Sequence, residues 1–233
     1  MNPNQLRSAF LMVSGLVALA GTAFGQANPS MVSDSSAAPV NTEGSQFNEA
    51  IVLHDGGRVD EAIALYKKLL KADSKQAGVY ANLGLAYVQT GKTDDAIEAY
   101  QKAVDLGTDD SDAGYNLGTL YYQKKKYKEA AKTFDAVLAQ SSGENNAPVY
   151  LNLGNTQLAL KNYEAAITAY ENAAKADPKA AEPYYNLGLV YSRLKETGKV
   201  VDSFLQYVDH APEATDAPQV KEWIVTLGKD TVR

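Results

Sequence analysis

An all-α array of about five helix pairs closed by one further helix is the fold class this sequence predicts, and three observations predict it. The triplet Asn-Leu-Gly stands at 82–84, 116–118, 152–154 and 186–188, at steps of 34, 36 and 34 residues, with Asn48-Glu49-Ala50 as a degenerate copy one period earlier. Ala62, Ala96, Ala130, Ala166 and Val200 form a second column in the same register, and Tyr66, Tyr100, Phe134, Tyr170 and Phe204 a third. Each period also holds two amphipathic patterns. In the second copy Tyr80, Leu83, Gly84 and Tyr87 share one helix face, and Ala96, Tyr100 and Ala103 share the next.

In chain order, the N-terminus differs from everything after it. Arg7 is followed by an uncharged run from Ser8 to Ser33, with an apolar heart from Ala9 to Ala20 and then Gly21-Thr22-Ala23-Phe24-Gly25-Gln26. This predicts a secretory signal peptide over 1–25, with Ala23 and Gly25 at the small-residue positions of a cut before Gln26; a cut after Ala27 fits almost as well. The run is too short and too interrupted for a span of about 20 apolar residues. A periplasmic or secreted product is the expectation. Residues 26–42 are rich in Ala, Ser, Pro and Asn and carry one charge, so they read as a disordered tether.

From 43 the repeats follow, at about 43–76, 77–110, 111–146, 147–180 and 181–214. Within the second, Gly91 suits the left-handed residue that ends the first helix, Thr93 suits the N-cap of the second, and Asp94 and Asp95 favour its positive end. Gly57 repeats that turn. Small residues in the Gly84 and Ala96 columns let paired helices approach, with the aromatic column filling the space beside them. Pro178 and Pro212 mark the ends of two copies. Ser141-Ser142-Gly143-Glu144-Asn145-Asn146 accounts for the longer step. Residues 215–233 read as a capping helix and tail, with Val220, Trp223, Ile224 and Leu227 on one face over the open end of the last repeat.

On these residues the chain resembles the tetratricopeptide repeat family. The match is closest at Tyr80, Leu83, Gly84, Tyr87, Ala96, Tyr100 and Ala103, and again at Tyr150, Leu153, Gly154, Ala166, Tyr170, Ala173 and Pro178. It covers about three quarters of the chain and departs at Glu49, Ala50, Gln157 and Val200. The resemblance implies a right-handed α-solenoid whose concave wall is lined by the first helix of each pair, and a scaffold or adaptor that binds a peptide segment there; with the signal peptide, the expectation is an exported one.

The residues off the packing face of those first helices are therefore the candidate groove: Asn48, Asn82, Leu85, Tyr115, Asn116, Thr119, Tyr122, Leu151, Asn152, Asn155, Tyr185, Asn186, Leu189 and Arg193. The amides at 48, 82, 116, 152 and 186 each offer a donor and an acceptor. They suit either an extended peptide backbone or hydrogen bonds between repeats, at about 1 kcal/mol each. Arg193 is the one basic member, while Asp112 and Glu182 are acidic, so a clamp for an acidic chain terminus is not expected. A neutral, apolar or mildly basic protein segment fits better. The alternative is a self-associating component of an envelope assembly.

Composition narrows the remainder. The 233 residues carry 22 Lys and Arg against 28 Asp and Glu, no Cys, and His only at 54 and 210. Net charge −6 disfavours nucleic acid and anionic lipid as partners. Without Cys there is no disulfide, thiolate site or Cys nucleophile, and two distant His predict no metal site. Each His reads as a surface or helix-end residue, and Lys124-Lys125-Lys126 as a solvated helix end. No phosphate loop, nucleophile elbow or zinc motif occurs, so neither catalytic residues nor cofactors are expected.

Overall fold

The computed structural model describes residues 42–107, 111–140 and 146–231; the signal-peptide and tether readings lie outside them, as does most of the 141–146 insertion. Eleven α-helices are present among the described residues, and no strand. They are α1 Thr42–Asp55, α2 Val59–Ala72, α3 Ala77–Gln89, α4 Thr93–Asp105, α5 Ser111–Gln123, α6 Tyr127–Gln140, α7 Ala147–Ala159, α8 Tyr163–Ala176, α9 Glu182–Leu194, α10 Thr197–His210 and α11 Ala217–Thr231. The all-α class of helix pairs with a closing helix holds. The helices fall in two compact units, α1–α6 and α7–α11. Within each unit successive helices pack on one another, pair by pair.

The first helix of every pair ends in the same way. In the second repeat the Lys92 N–H donates to the Tyr87 carbonyl at 2.8 Å and the Gly91 N–H to that of Val88 at 3.0 Å, with Gly91 left-handed at φ +72°. This is a Schellman cap, which satisfies carbonyls that the helix end would otherwise orphan. Equivalent bonds close the other four pairs, around Gly57, Lys125, Lys161 and Lys195. Those three lysines are also left-handed, at φ 58°, 62° and 62°, a conformation that costs an L-residue about 1–2 kcal/mol. Thr93 is not the N-cap that its type suggested: it is already inside α4, Lys92 holds the cap position, and no side-chain bond caps it. The Schellman turn leads straight into the second helix and leaves no separate capping residue.

Second helices begin with carboxylates, Asp60 and Glu61 in α2, Asp94 and Asp95 in α4, Glu129 in α6 and Glu164 in α8, each favoured by the helix dipole. Pro148 and Pro183 occupy first-turn positions in α7 and α9, where a missing N–H costs nothing.

The three sequence columns form the core. The Ala62, Ala96, Ala130 and Ala166 side chains are wholly buried and Val200 nearly so, as are all five aromatics of the third column. The glycines do not serve helix–helix backbone approach so much as they seat those rings. A Cβ on Gly84 would lie 2.8 Å from the Tyr100 ring, and one on Gly118, Gly154 or Gly188 would lie 2.5–2.6 Å from Phe134, Tyr170 or Phe204. In the first repeat Ala50 takes this register, fully buried.

Both array ends differ from the interior. Val52 is 70% exposed, whereas Ala86 and Leu120 in its register are buried under the preceding pair. Helix α11 is a half-repeat: Val220 is buried, Trp223 packs on Phe204 with ring centroids 5.9 Å apart, and Lys221 and Glu222 are exposed where interior copies carry Leu and Gly. That polar outer face is what a capping element needs.

Candidate functional site

The Asn column divides by environment. Asn48 is exposed and Asn82 half-buried, but Asn116, Asn152 and Asn186 are only 5%, 2% and 3% exposed. In the first unit the Asn116 Nδ2 donates to the hydroxyl of Tyr100, in the preceding repeat, at 3.2 Å. In the second unit the Asn155 Oδ1 accepts from both the Tyr170 hydroxyl at 2.8 Å and the Asn186 Nδ2 at 3.3 Å. The Asn116–Tyr100 and Asn186–Asn155 bonds run between repeats, the Tyr170–Asn155 bond lies within one, and together they tie the aromatic column to the next helix pair. Where the last repeat carries Phe204, the residue in the Asn register is Val220, fully buried. Hydroxyl and amide are both absent at that junction, whereas Phe134, also without a hydroxyl, is followed in register by an amide, Asn152.

Asn82 behaves differently. Its Nδ2 donates to the carbonyl of Gly78, one turn back in its own helix, at 2.9 Å. The Tyr66 hydroxyl, which its register would serve, is buried and has no hydrogen-bond partner among the described residues. The Asn116 Oδ1 and the His54 Nε2 are likewise buried without one. Burial, with the Asp55 charge nearby, pushes the Tyr66 hydroxyl well above its ordinary pKa, so it remains a donor at any physiological pH.

The other candidate groove positions are distributed unequally. In the first unit Leu85, Tyr115, Thr119 and Tyr122 are all half-exposed, at i and i+4 to i+7 spacings along α3 and α5. Tyr115 leans on Phe134 with centroids 6.2 Å apart, and Tyr122 meets Tyr127 edge-on at 5.4 Å. In the second unit Leu151, Asn155 and Leu189 are buried, Tyr185 is half-exposed against Phe204 and Tyr207, and Arg193 is exposed. An accessible apolar and aromatic stripe therefore belongs to the first unit.

Charge near these faces is sparse. Asp112 is exposed; Glu182 is half-buried with its Oε1 buried and unpartnered, and desolvation pushes its pKa up. Lys124 pairs with Asp94 at 2.8 Å, and that hydrogen bond holds the Asp94 carboxyl below its ordinary value. Sequence reading treated both histidines as surface or helix-end residues. His210 is half-buried, stacked on Tyr184 at 5.0 Å, but His54 is buried, at 5% exposure. Its register gives no sign of this, since Val88 and Tyr122, one and two periods on, are half-exposed. Among the described residues no cluster of His, Asp and Glu could hold a metal ion, and no helix is long and apolar enough to cross a membrane.

Comparison with known proteins agrees with the repeat. Residues 81–145 match a family model for the tetratricopeptide repeat, and residues 50–91 and 158–195 match a second model for the TPR repeat, so that together they span more than half of the chain. No curated protein sequence matches. Among solved structures the chain is similar to YrrB, described as a TPR protein with an unusual peptide-binding site, at 23% identity and TM-score 0.70 over 78% of this chain and 94% of that one. It is similar to a MamA protein at 27% identity and TM-score 0.68, over 74% and 93%. MamA from Desulfovibrio magneticus RS-1 follows at 20% identity and TM-score 0.66, over 76% and 99%. At these identities the likeness is one of fold.

Proposed function

The chain belongs to the tetratricopeptide repeat family, and from that premise we propose that it is an exported, non-catalytic interaction scaffold that binds a peptide segment of a partner protein. The half-exposed stripe of Leu85, Tyr115, Thr119 and Tyr122 carries the reading. Repeat helices that pack on both sides have one face left, and here that face keeps aromatic and aliphatic side chains part-solvated. Such a face gains about 25 cal/mol for each Å² of apolar surface that a partner covers. A peptide is also the occupant for which YrrB, similar in fold, is described. Export rests on Arg7, the apolar run Ala9 to Ala20, and Ala23 and Gly25 before Gln26.

The burial of Asn116, Asn152 and Asn186 changes how the partner is held. Their amides already join repeats or lie beneath the surface, so side-chain docking along the first unit takes precedence over a continuous row of amides gripping backbone. Photo-crosslinking tests this directly. A benzophenone side chain at position 85 or 119 captures one and the same protein from an envelope extract, and one at the exposed Leu205 of α10 does not. Capture from position 205 alone, or from none of the three, refutes the groove. A mature N-terminus at Gln26, read by mass spectrometry, tests export; an intact Met1 refutes it.

A further inference from the structure

Interior junctions within each unit pair a polar side chain of one second helix with a tyrosine of the next first helix, twenty residues on. Lys67 lies over the Tyr87 ring with its Nζ 5.5 Å from the centroid, and the Gln101 Oε1 accepts the Tyr121 hydroxyl at 3.1 Å. Glu171 and Tyr191 keep the spacing, and burial and then the Glu171 charge raise the pKa of that hydroxyl. Helix α11 stays in this register, since Val220 is buried in the Asn position and Trp223 meets Phe204. Yet the two paired positions there are Leu205 and Val225.

Both aliphatics are open to solvent. Leu205 is 49% and Val225 56% exposed, where Tyr87 is buried and Tyr121 and Tyr191 are half-buried. Val52, Leu106, Leu205 and Val225 are the large hydrophobic side chains left exposed among the described residues, so two of them fall at one junction. Val201 and Val208, one turn to either side of Leu205, are half-exposed and widen the patch. A lone exposed aliphatic needs no explanation, whereas a group of them marks a contact surface. The rim of this one is divided by sign. Asp202 and Asp209, also one turn to either side of Leu205, are exposed on α10, and Lys221, one turn before Val225, is exposed on α11. Of the other charges nearby, Lys199 is paired with Glu196, and the Glu222 carboxylate accepts from the Gln219 Nε2 at 3.2 Å.

We propose that this face joins two copies of the chain about a two-fold axis, α10 of each lying against α11 of the other. Leu205 packs on Val225 of the mate, Lys221 reaches the carboxylates beside the mate's Leu205, and the axis makes each contact twice. An occupant of this face must offer an aliphatic between carboxylates to α11 and an aliphatic beside a cation to α10, and a second copy carries both. Charges at such a rim fix orientation more than they add affinity, and the small apolar patch makes the dimer weak and dependent on concentration. The inference uses α10 and α11 alone and is independent of the groove reading.

Sedimentation equilibrium of the full chain, in the processed form that the cell holds, is expected to show monomer passing to dimer as loading rises. Leu205→Gln/Val225→Tyr installs the pair that the chain itself carries at 101 and 121, so helicity and urea stability are expected to stand while the dimer is lost at every loading. Lys221→Glu is expected to raise the dimer dissociation constant about tenfold, and adding Asp202→Lys and Asp209→Lys to restore it. A parent chain that stays monomeric up to millimolar loading overturns the proposal, as does a dimer that Leu205→Gln/Val225→Tyr leaves intact. An unchanged constant in Lys221→Glu refutes the pairing of α10 with α11. In native extract a benzophenone side chain at position 225 is expected to join two copies of the chain; capture of a different protein alone, or of none, overturns the proposed occupant.

Discussion

Gly154→Ala adds one methyl group where the structure leaves no space for it. The new Cβ would lie 2.5 Å from Cε1, 2.6 Å from Cδ1 and 3.0 Å from Cζ of Tyr170, contacts that real side chains do not make. The ring is wholly buried, and its hydroxyl is held at 2.8 Å on the Asn155 Oδ1. Overfilling such a site costs about 1–3 kcal/mol. Swinging the ring aside gives up its hydrogen bond, about 1 kcal/mol more. Ala in place of Gly inside a helix returns about 1 kcal/mol. The expected net loss is about 1–3 kcal/mol. Gly188→Ala meets Phe204, which has no hydroxyl to hold it, so its loss is about 1 kcal/mol smaller. Urea unfolding followed by circular dichroism measures both, and Gly154→Ala/Tyr170→Phe closes a double-mutant cycle with Gly154→Ala and Tyr170→Phe. Equal stability of Gly154→Ala and the parent would refute the packing argument, and equal losses at 154 and 188 would refute the part assigned to the hydroxyl.

Lys161→Gly relieves a left-handed L-residue and keeps the Schellman cap, and is expected to stabilise by about 1 kcal/mol in the same assay; a lower midpoint contradicts it. Glu182 has a folded pKa raised by burial, so between its ordinary value of 4.5 and its folded value the native state binds more protons than the unfolded one and stability falls as pH rises. Glu182→Gln should flatten that fall and be the more stable protein at neutral pH, as thermal melts from acid to neutral pH will show; parallel profiles rule this out. Trp223→Ala should cost about 2 kcal/mol and speed amide exchange in α11 well before α7, and uniform exchange in both helices would mean that α11 is not held through that ring.

Much of this architecture is legible because a repeat makes the sequence its own alignment. The Gly, Ala and aromatic columns could be read off by step, and each proved to be core. The left-handed turns were half legible: Gly57 and Gly91 announce themselves, but Lys125, Lys161 and Lys195 adopt the same conformation only because the packed helices on either side impose it. Propensity reports what a residue prefers and is silent on what its neighbours can enforce. The Asn column posed the reverse difficulty. Its spacing was plain, but whether an amide faces solvent or the hydroxyl of the preceding repeat depends on ring position, which no single helix encodes. His54 does stand in the last turn of its helix, as its neighbours suggest, but its burial was not legible, since Val88 and Tyr122 in the same register are half-exposed.

Pairing of hydroxyl with amide gives the order of repeats a grammar. Excising residues 77–110 would set Tyr66 against Asn116, a permitted junction that restores the bond seen at Tyr100. Excising residues 181–214, just as long, would put Val220 where Asn186 now joins Asn155, so the Tyr170 hydroxyl would keep its bond to Asn155 while the link from that amide to the next helix would go. Two deletions of equal length, each removing one whole period, are thus not equivalent. A designer recombining these modules keeps the hydroxyl-to-amide link only at junctions where the two letters agree.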